Sequence, residues 1–220
     1  MNTSQYFDFA APSVPAADPL DGLLHINELS SSVEVLVEIP EISRYGAYIR
    51  LMLNGVEISP IRHLSDTEVS GQVIPMNIDP RYLLNEGTYK LGFRHTNQGN
   101  GAITDSKIVP LIVDRTAPGA SLLAPALLPD ISVGHPAKAK IPGYAGMEPG
   151  DMVQTLCNST EGPTFLVQAD NLTTTPIEIP FTKDFLDSLQ SNKVTLTYHV
   201  TDRAGNRSIL AHPVELTVAR

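Results

Sequence analysis

The chain has 220 residues and a formal net charge of -9, with 42% hydrophobic and 18% charged residues. This composition excludes an intrinsically disordered chain, and the acidic balance excludes nucleic acid as a partner because phosphate backbones would be repelled. The single cysteine, Cys157, excludes an intrachain disulfide. The 18 prolines and 15 glycines are typical of many short strands joined by turns.

The N-terminal segment has neither the basic start nor the apolar stretch of a secretory signal. No run of apolar residues is long enough to cross the hydrocarbon core, so we expect no membrane insertion. Residues 1–18 include a proline-rich stretch with Pro12 and Pro15. We predict that these residues form a tail or the remnant of a preceding linker.

Alternating apolar residues predict the first set of strands. Val33, Val35, Val37 and Ile39 share one face of a strand at 33–39. A second strand at 47–53 ends at Asn54-Gly55, a hairpin turn pair. Further strands are predicted at 67–76, 87–95 and 107–113, with a single helical turn at 79–84.

The second half of the chain repeats this order. At an offset of 105 positions, Ile74-Pro75 falls on Ile179-Pro180 and Leu91-Gly92-Phe93 falls on Leu196-Thr197-Tyr198, with no gap from Ile74 to the end. The repeat predicts strands at 137–141, 152–157, 165–168, 177–181, 193–200 and 208–218, with a helical turn at 182–189. We therefore predict an all-β chain of two tandem immunoglobulin-like antiparallel β-sandwiches, covering residues 19–115 and 116–220.

Three segments resemble the immunoglobulin-like repeats of large bacterial adhesins and of related surface or secreted proteins, in a form similar to Pseudomonas-type sequences. Glu86-Gly-Thr-Tyr89 resembles the entry to the penultimate strand of such repeats, and residues 198–208 resemble their final hairpin. Asp114-Arg-Thr-Ala-Pro118 resembles their linker. The resemblance covers roughly residues 19–220 and implies a segment of a longer chain at the cell surface or outside the cell, exported without a signal peptide in this chain.

No group of residues predicts catalysis. The six histidines show none of the spacings that ligate zinc, and Cys157 has no local histidine to activate it. Acidic residues are scattered, so no pair can be named for acid–base work. We therefore predict that the chain is not an enzyme.

Calcium is the one metal that the resemblance implies, because long bacterial arrays of this kind bind it at module junctions. A hard cation needs several oxygen ligands in one place. Asp114, at the predicted junction, and Asp202, in the final hairpin, are the candidate ligands. The alternative that both carboxylates cap turns remains open. No other cofactor is expected.

Two functions are compatible with these observations. The first is a non-catalytic structural spacer or adhesive segment, and the second is a glycan- or receptor-binding targeting segment of a secreted toxin or effector. Exposed tyrosines would serve the second role, and Tyr45, Tyr48 and Tyr144 are the candidates. The absence of tryptophan and the aromatic content of only 6% favour the spacer.

Overall fold

The computed structural model describes residues 9–43, 45–127 and 137–217, and the chain divides into two compact units, Met1–Arg115 (module 1) and Thr116–Arg220 (module 2). Sequence predictions that fall on residues 1–8, on Pro129 or on residues 218–220 lie outside the described residues. Within those residues nearly all regular structure is strand, which confirms the predicted all-β fold.

Module 1 contains nine strands among its described residues. They are β1 (Leu23–Leu24), β2 (Val33–Glu38), β3 (Tyr48–Leu53), β4 (Val56–Glu57), β5 (Arg62–His63), β6 (Val73–Ile78), β7 (Gly87–Thr96), β8 (Ile103–Asp105) and β9 (Val109–Val113). Two short 3-10 helices lie at Ile26–Ser30 and Pro80–Leu83.

The strands of module 1 form the two sheets of an immunoglobulin-like sandwich. The larger sheet has the order β1-β9-β7-β3-β4, with β5 paired to β3 and β8 paired to β7, and the smaller sheet is the antiparallel pair β2-β6. The N-terminal segment first pairs with the smaller sheet, through Ser13 and Leu36, and then with the larger one, because β1 runs parallel to β9. The segment before β2 thus borders both sheets.

The core of module 1 lies between the two sheets. Val33, Val35 and Val37 of β2 are at most 2% exposed, and they belong to the same apolar cluster as Ile49 and Leu51 of β3. Alternation along each strand directs these side chains inward, as the sequence predicts. Tyr89, at the start of β7, donates its hydroxyl to the carbonyl oxygen of Asn85 at 2.7 Å, the tyrosine corner typical of such sandwiches.

The proline-rich N-terminal stretch is part of module 1 from Phe9 onward, which differs from the tail predicted for residues 1–18. Phe9 is 7% exposed, and its ring stacks on Phe93 with centroids 6.2 Å apart. Its carbonyl oxygen accepts a hydrogen bond from the backbone N–H of Lys107 at 2.9 Å. Prolines suit this segment because an extended border strand can lack some backbone donors, and Phe9 supplies the apolar anchor.

Module 2 repeats the plan with six described strands and one α-helix. They are β10 (Ala137–Ile141), β11 (Met152–Cys157), β12 (Thr160–Leu166), β13 (Ile177–Phe181), α1 (Lys183–Ser188), β14 (Lys193–Thr201) and β15 (Val214–Thr217). One sheet is β10-β13 and the other has the order β12-β11-β14-β15. A 3-10 helix lies at Ala169–Leu172, and no described helix is long and apolar enough to span a membrane.

The predicted helical turns are both present before the penultimate strand of their module. Asp79 accepts a hydrogen bond from the backbone N–H of Arg81 at 3.0 Å and so caps the 3-10 helix that begins at Pro80. Thr182 caps α1 in the same manner, through the backbone N–H of Phe185 at 3.2 Å. A short polar cap followed by proline or a good helix former is the signal that identifies both turns.

Several strand boundaries differ from the prediction. The strand predicted at 165–168 begins earlier, since β12 starts at Thr160. In module 1, β6 starts only at Val73, because residues 64–72 form a loop. The strand predicted at 107–113 is β9 from Val109, and the one predicted at 208–218 is regular only in β15.

Two hairpin turns stand at equivalent places in the two modules. Asn54 and Gly55 have φ angles of 51° and 81°, and Asn158 and Ser159 have φ angles of 50° and 68°. Positive φ at both central residues is the type I′ geometry that suits the twist of a two-residue hairpin. The sequence does not predict the early start of β12, because Ser159 occupies the turn position at which a glycine is the usual signal of a hairpin.

The asparagine of each hairpin also binds the neighbouring strand. Asn54 Oδ1 accepts the backbone N–H of Lys90 at 2.8 Å, and Asn158 Oδ1 accepts that of Thr195 at the same distance. Lys90 and Thr195 are 105 positions apart, so an equivalent hydrogen bond is present in both modules.

The repeated Ile-Pro step protects a sheet edge. Leu36 lies opposite Pro75, and both backbone groups of Leu36 bond to Ser13, on the side away from β6. In such a pair the nitrogen of Pro75 also faces away from its partner, toward the outer edge of β6. Proline removes a donor there, which hinders pairing with another chain.

We predict that Pro75→Val increases self-association, because valine restores a backbone N–H on the outer edge of β6, where another chain could pair with it. Light scattering against protein concentration measures this. The variant Pro60→Val, outside every strand, serves as the control, and equal scattering by the two variants would contradict the edge-protection account.

We predict that Ser159→Gly stabilises module 2 by about 0.5–1 kcal/mol. Relief of the left-handed conformation is worth about 1–2 kcal/mol, and the larger chain entropy of glycine in the unfolded state offsets about 0.4–1 kcal/mol of it. Gly55→Ser is the matched reverse change and should destabilise module 1 by a similar amount. Urea unfolding measures both changes, and an effect of the same sign in the two variants would sink the argument.

Candidate functional site

Three loops of module 1 meet at one end of the sandwich. They comprise residues 39–43 with 45–47, residues 64–72 and residues 97–102. Ser70 Oγ donates to the carbonyl oxygen of Pro40 at 3.2 Å, which ties the second loop to the first. The side chain of Gln98 lies so close over Gly46 that an added Cβ would be 1.9 Å from Gln98 Oε1. We call this three-loop surface the loop end; loops of this kind carry the binding sites of many sandwich proteins.

The third loop is built from its own side chains. Asn97 Oδ1 accepts the backbone N–H of Gly99 at 2.9 Å, and Asn100 Oδ1 accepts that of Ala102 at 3.0 Å. The backbone N–H of Gly101 bonds to the carbonyl oxygen of Asn97 at 2.8 Å. These local bonds fix the shape of the loop, so the loop end is a formed surface.

A buried histidine supports the loop end from below. His95 is 1% exposed, and its Nε2 lies 3.1 Å from Ser43 Oγ in the first loop. The ring of Phe9 meets it edge to face at 5.7 Å. Burial lowers the pKa of His95, because a charged imidazolium would lose its hydration. The residue continues the inward alternation of Leu91 and Phe93, the signal by which the sequence could have identified it.

Only one of the three candidate tyrosines is openly presented. Tyr45 is 79% exposed in the first loop. Tyr48 is half-buried and meets the ring of His63 edge-on at 5.6 Å. Tyr144 is also half-buried, and its hydroxyl donates to Asp151 Oδ2 at 2.9 Å. A broad aromatic platform for a glycan is therefore not formed by these three residues.

A buried carboxylate organises the corresponding loop of module 2. Asp151 is 1% exposed and accepts hydrogen bonds from Tyr144 and from the backbone N–H of Glu148, the latter at 3.1 Å. Burial raises the pKa of Asp151, although these two hydrogen bonds act in the opposite direction. Burial also raises the pKa of Tyr144. Because its carboxylate is occupied inside the loop, Asp151 acts as an anchor of the loop 142–151.

The two predicted calcium ligands have different surroundings. Asp202 Oδ1 accepts the backbone N–H of Asn206 at 2.8 Å, and its Oδ2 accepts the side-chain amide of Asn206 at 3.0 Å, so Asp202 caps the final hairpin. Asp114 follows β9 directly and is half-buried. The described residues hold no group of three or more histidine, cysteine, aspartate or glutamate side chains suited to a metal ion. Calcium binding by Asp114 and Asp202 stays a prediction.

Cys157 and His199 lie on opposite faces of their sheet. Cys157 is fully buried in the core, and burial raises the pKa of its thiol to about 11. His199 lies on the outer face of the sheet but is only 7% exposed, and its Nδ1 lies 3.1 Å from Arg207 Nη2. Burial, and next the charge of Arg207, lower the pKa of His199. The geometry therefore provides no thiolate–imidazole pair from these two residues.

A network of ion pairs crosses the outer face of the larger sheet of module 1. Glu57 on β4 pairs with Arg50 on β3 and lies 3.3 Å from Arg94 on β7. Arg94 holds Asp105 on β8 through two hydrogen bonds of 2.7 and 2.8 Å. Arg50 lowers the pKa of Glu57, and Arg94 lowers that of Asp105. Four strands are thus linked by side chains in addition to their backbone hydrogen bonds.

Comparison with known proteins finds matches among solved structures and none by sequence. No protein-family model and no curated protein sequence matches the chain. Among solved structures, the chain is similar to the fibronectin(III)-like modules of Clostridium thermocellum CbhA, with 10% sequence identity and a TM-score of 0.45. The similarity covers 94% of this chain and 93% of that one.

We predict that module 1 loses stability as the pH falls below about 6.5, the usual pKa of an unfolded histidine. The unfolded chain then takes up a proton that buried His95, with its lowered pKa, does not bind, so the loss continues down to the pKa of folded His95. Hydrogen exchange of amides in β3 and β7 between pH 7 and pH 5 measures it. His95→Gln should flatten this dependence, whereas the exposed-site control His212→Gln should leave it unchanged; a flat profile in the unaltered protein would contradict the prediction.

Proposed function

We propose that the chain is a non-catalytic spacer and adhesive segment of a bacterial surface or secreted protein, in which two sandwiches are joined with little freedom between them. The resemblance of its turns and linker to bacterial immunoglobulin-like repeats supports the cellular setting. The observation that carries the spacer role is the length of the connector.

Each end of the connector is anchored within its own module. On the side of module 1, Arg115 Nη2 donates to the carbonyl oxygen of Leu83 at 2.9 Å. On the side of module 2, Pro118 is buried, and the backbone N–H of Gly119 donates to the carbonyl oxygen of Ala145 at 2.8 Å. Leu123 then enters the core of module 2 and is fully buried.

Only Thr116 and Ala117 separate these anchors. The three Cα–Cα steps from Arg115 to Pro118 span no more than about 11 Å even when fully extended. Pro118 fixes one backbone angle and restricts Ala117 before it. A connector this short restricts the range of angles between the two modules. A spacer needs this restriction, because a freely bending segment cannot keep its two ends at a defined separation.

The test is the rotational diffusion of each module, measured by ¹⁵N relaxation. We predict that both modules share one slow correlation time. Inserting about eight Gly/Ser residues between Thr116 and Ala117 adds roughly 16 Å of flexible reach and should give two faster, separate values. If the unaltered protein already tumbles as two independent bodies, like the insertion variant, the spacer role is wrong.

Recognition of a protein receptor or a glycan is the second candidate function, as in a targeting segment of a secreted toxin or effector. The observation that favours it is the formed loop end with Tyr45 exposed on it. The matched test compares Tyr45→Ala with Tyr89→Phe for adhesion of the purified protein to host cells. Loss of adhesion in Tyr45→Ala but not in Tyr89→Phe supports recognition through the loop end. Equal adhesion by the two variants would show that Tyr45 does not take part in recognition.

A further inference from the structure

A cleft of about 240 Å³ opens beside the loop end of module 1. One wall is formed by Phe9 and Ala10 of the N-terminal segment, and the other by residues 38–42. Phe9 and Ile39 belong to the apolar core, and Ile42 packs against it, so part of the lining is apolar. A cleft of this size is large enough for one long side chain.

Two carboxylates lie at this cleft. Glu38 and Glu41 both line it, and both are exposed. Neither forms a salt bridge with any residue in the described part of the chain. By contrast, Glu57 and Glu68 of the same module are both held by arginines. The charge at this cleft is therefore available to a cation from outside.

The backbone around the cleft is already occupied by internal hydrogen bonds. Ile39 exchanges bonds with Gln72 and Gly71, Pro40 has no N–H, and its carbonyl oxygen accepts from Ser70. The carbonyl oxygen of Phe9 accepts from Lys107. An added β-strand would find few partners here, so the ligand must be recognised through a side chain.

We infer that this cleft binds a lysine or arginine side chain presented by an extended segment of a partner protein. The methylene stem lies along the apolar part of the lining, and the cationic head pairs with Glu38 and Glu41. Overall charge favours the same partner. Module 1 (residues 1–115) carries 14 acidic and 8 basic side chains, a net of -6, whereas module 2 (residues 116–220) carries 10 and 7, a net of -3. A basic partner is thus attracted to module 1 before contact.

The probe is the peptide acetyl-Ala-Val-Arg-Val-Ala-amide, titrated into the full chain at low salt and followed by ¹H–¹⁵N spectra. We expect saturable shifts at residues 9–10 and 38–42. The same peptide with citrulline in place of arginine keeps the shape without the charge and should bind at least about fivefold more weakly. Added salt should weaken the arginine peptide alone.

The matched variants separate a local effect from net charge. Glu38→Gln with Glu41→Gln should reduce affinity for the arginine peptide at least about fivefold. Glu34→Gln removes a charge from the same outward face of β2, away from the cleft, and should bind as the unaltered chain does. Unsaturable shifts, shifts confined to other residues, equal binding of the citrulline peptide, or equal weakening by Glu34→Gln would each overturn the inference. None of these outcomes bears on the spacer role, which rests on the connector alone.

Discussion

Apolar contact between two sheets is the interaction on which each module depends. The chain has one cysteine, so no disulfide joins the sheets, and alternating strand residues must provide that contact alone. Cys157 itself illustrates the constraint. It lies opposite Leu196, as Leu53 lies opposite Leu91, so it occupies the inward position that leucine occupies in module 1. A buried cysteine with a raised pKa acts there as a small apolar side chain.

The same constraint explains why the fold could be read from the sequence. A side chain that must face the core every second residue leaves a periodic signal, and the core positions Ile74, Leu91 and Phe93 recur 105 positions later as Ile179, Leu196 and Tyr198. The difference between Phe93 in module 1 and Tyr198 at the equivalent position of module 2 is compatible with the same requirement for burial. The added hydroxyl is satisfied by the carbonyl oxygen of Ala124 at 2.7 Å, so the ring remains fully buried.

The parts that could not be predicted are those that the core does not dictate. Residues 9–17 have a proline-rich sequence that suits a linker, although Phe9, Val14 and Ala17 pack on the core of module 1. The turn before β12 contains Ser159 where glycine would signal it. The loop end depends on contacts such as Gln98 over Gly46, which join residues distant in sequence and leave no local pattern. The cleft likewise exists only because the N-terminal segment meets residues 38–42.

The two modules share their core positions and turns and differ on their surfaces. In module 1 the outer face of the larger sheet carries ion pairs centred on Arg94, while the same face of module 2 has Met152 opposite Leu166, both exposed. A pure spacer needs only the shared features, because stiffness and length come from the cores and the connector. Since the loop end, the cleft and most of the negative charge all belong to module 1, recognition is best sought there, and module 2 is the natural place to look for contacts of a less charged kind.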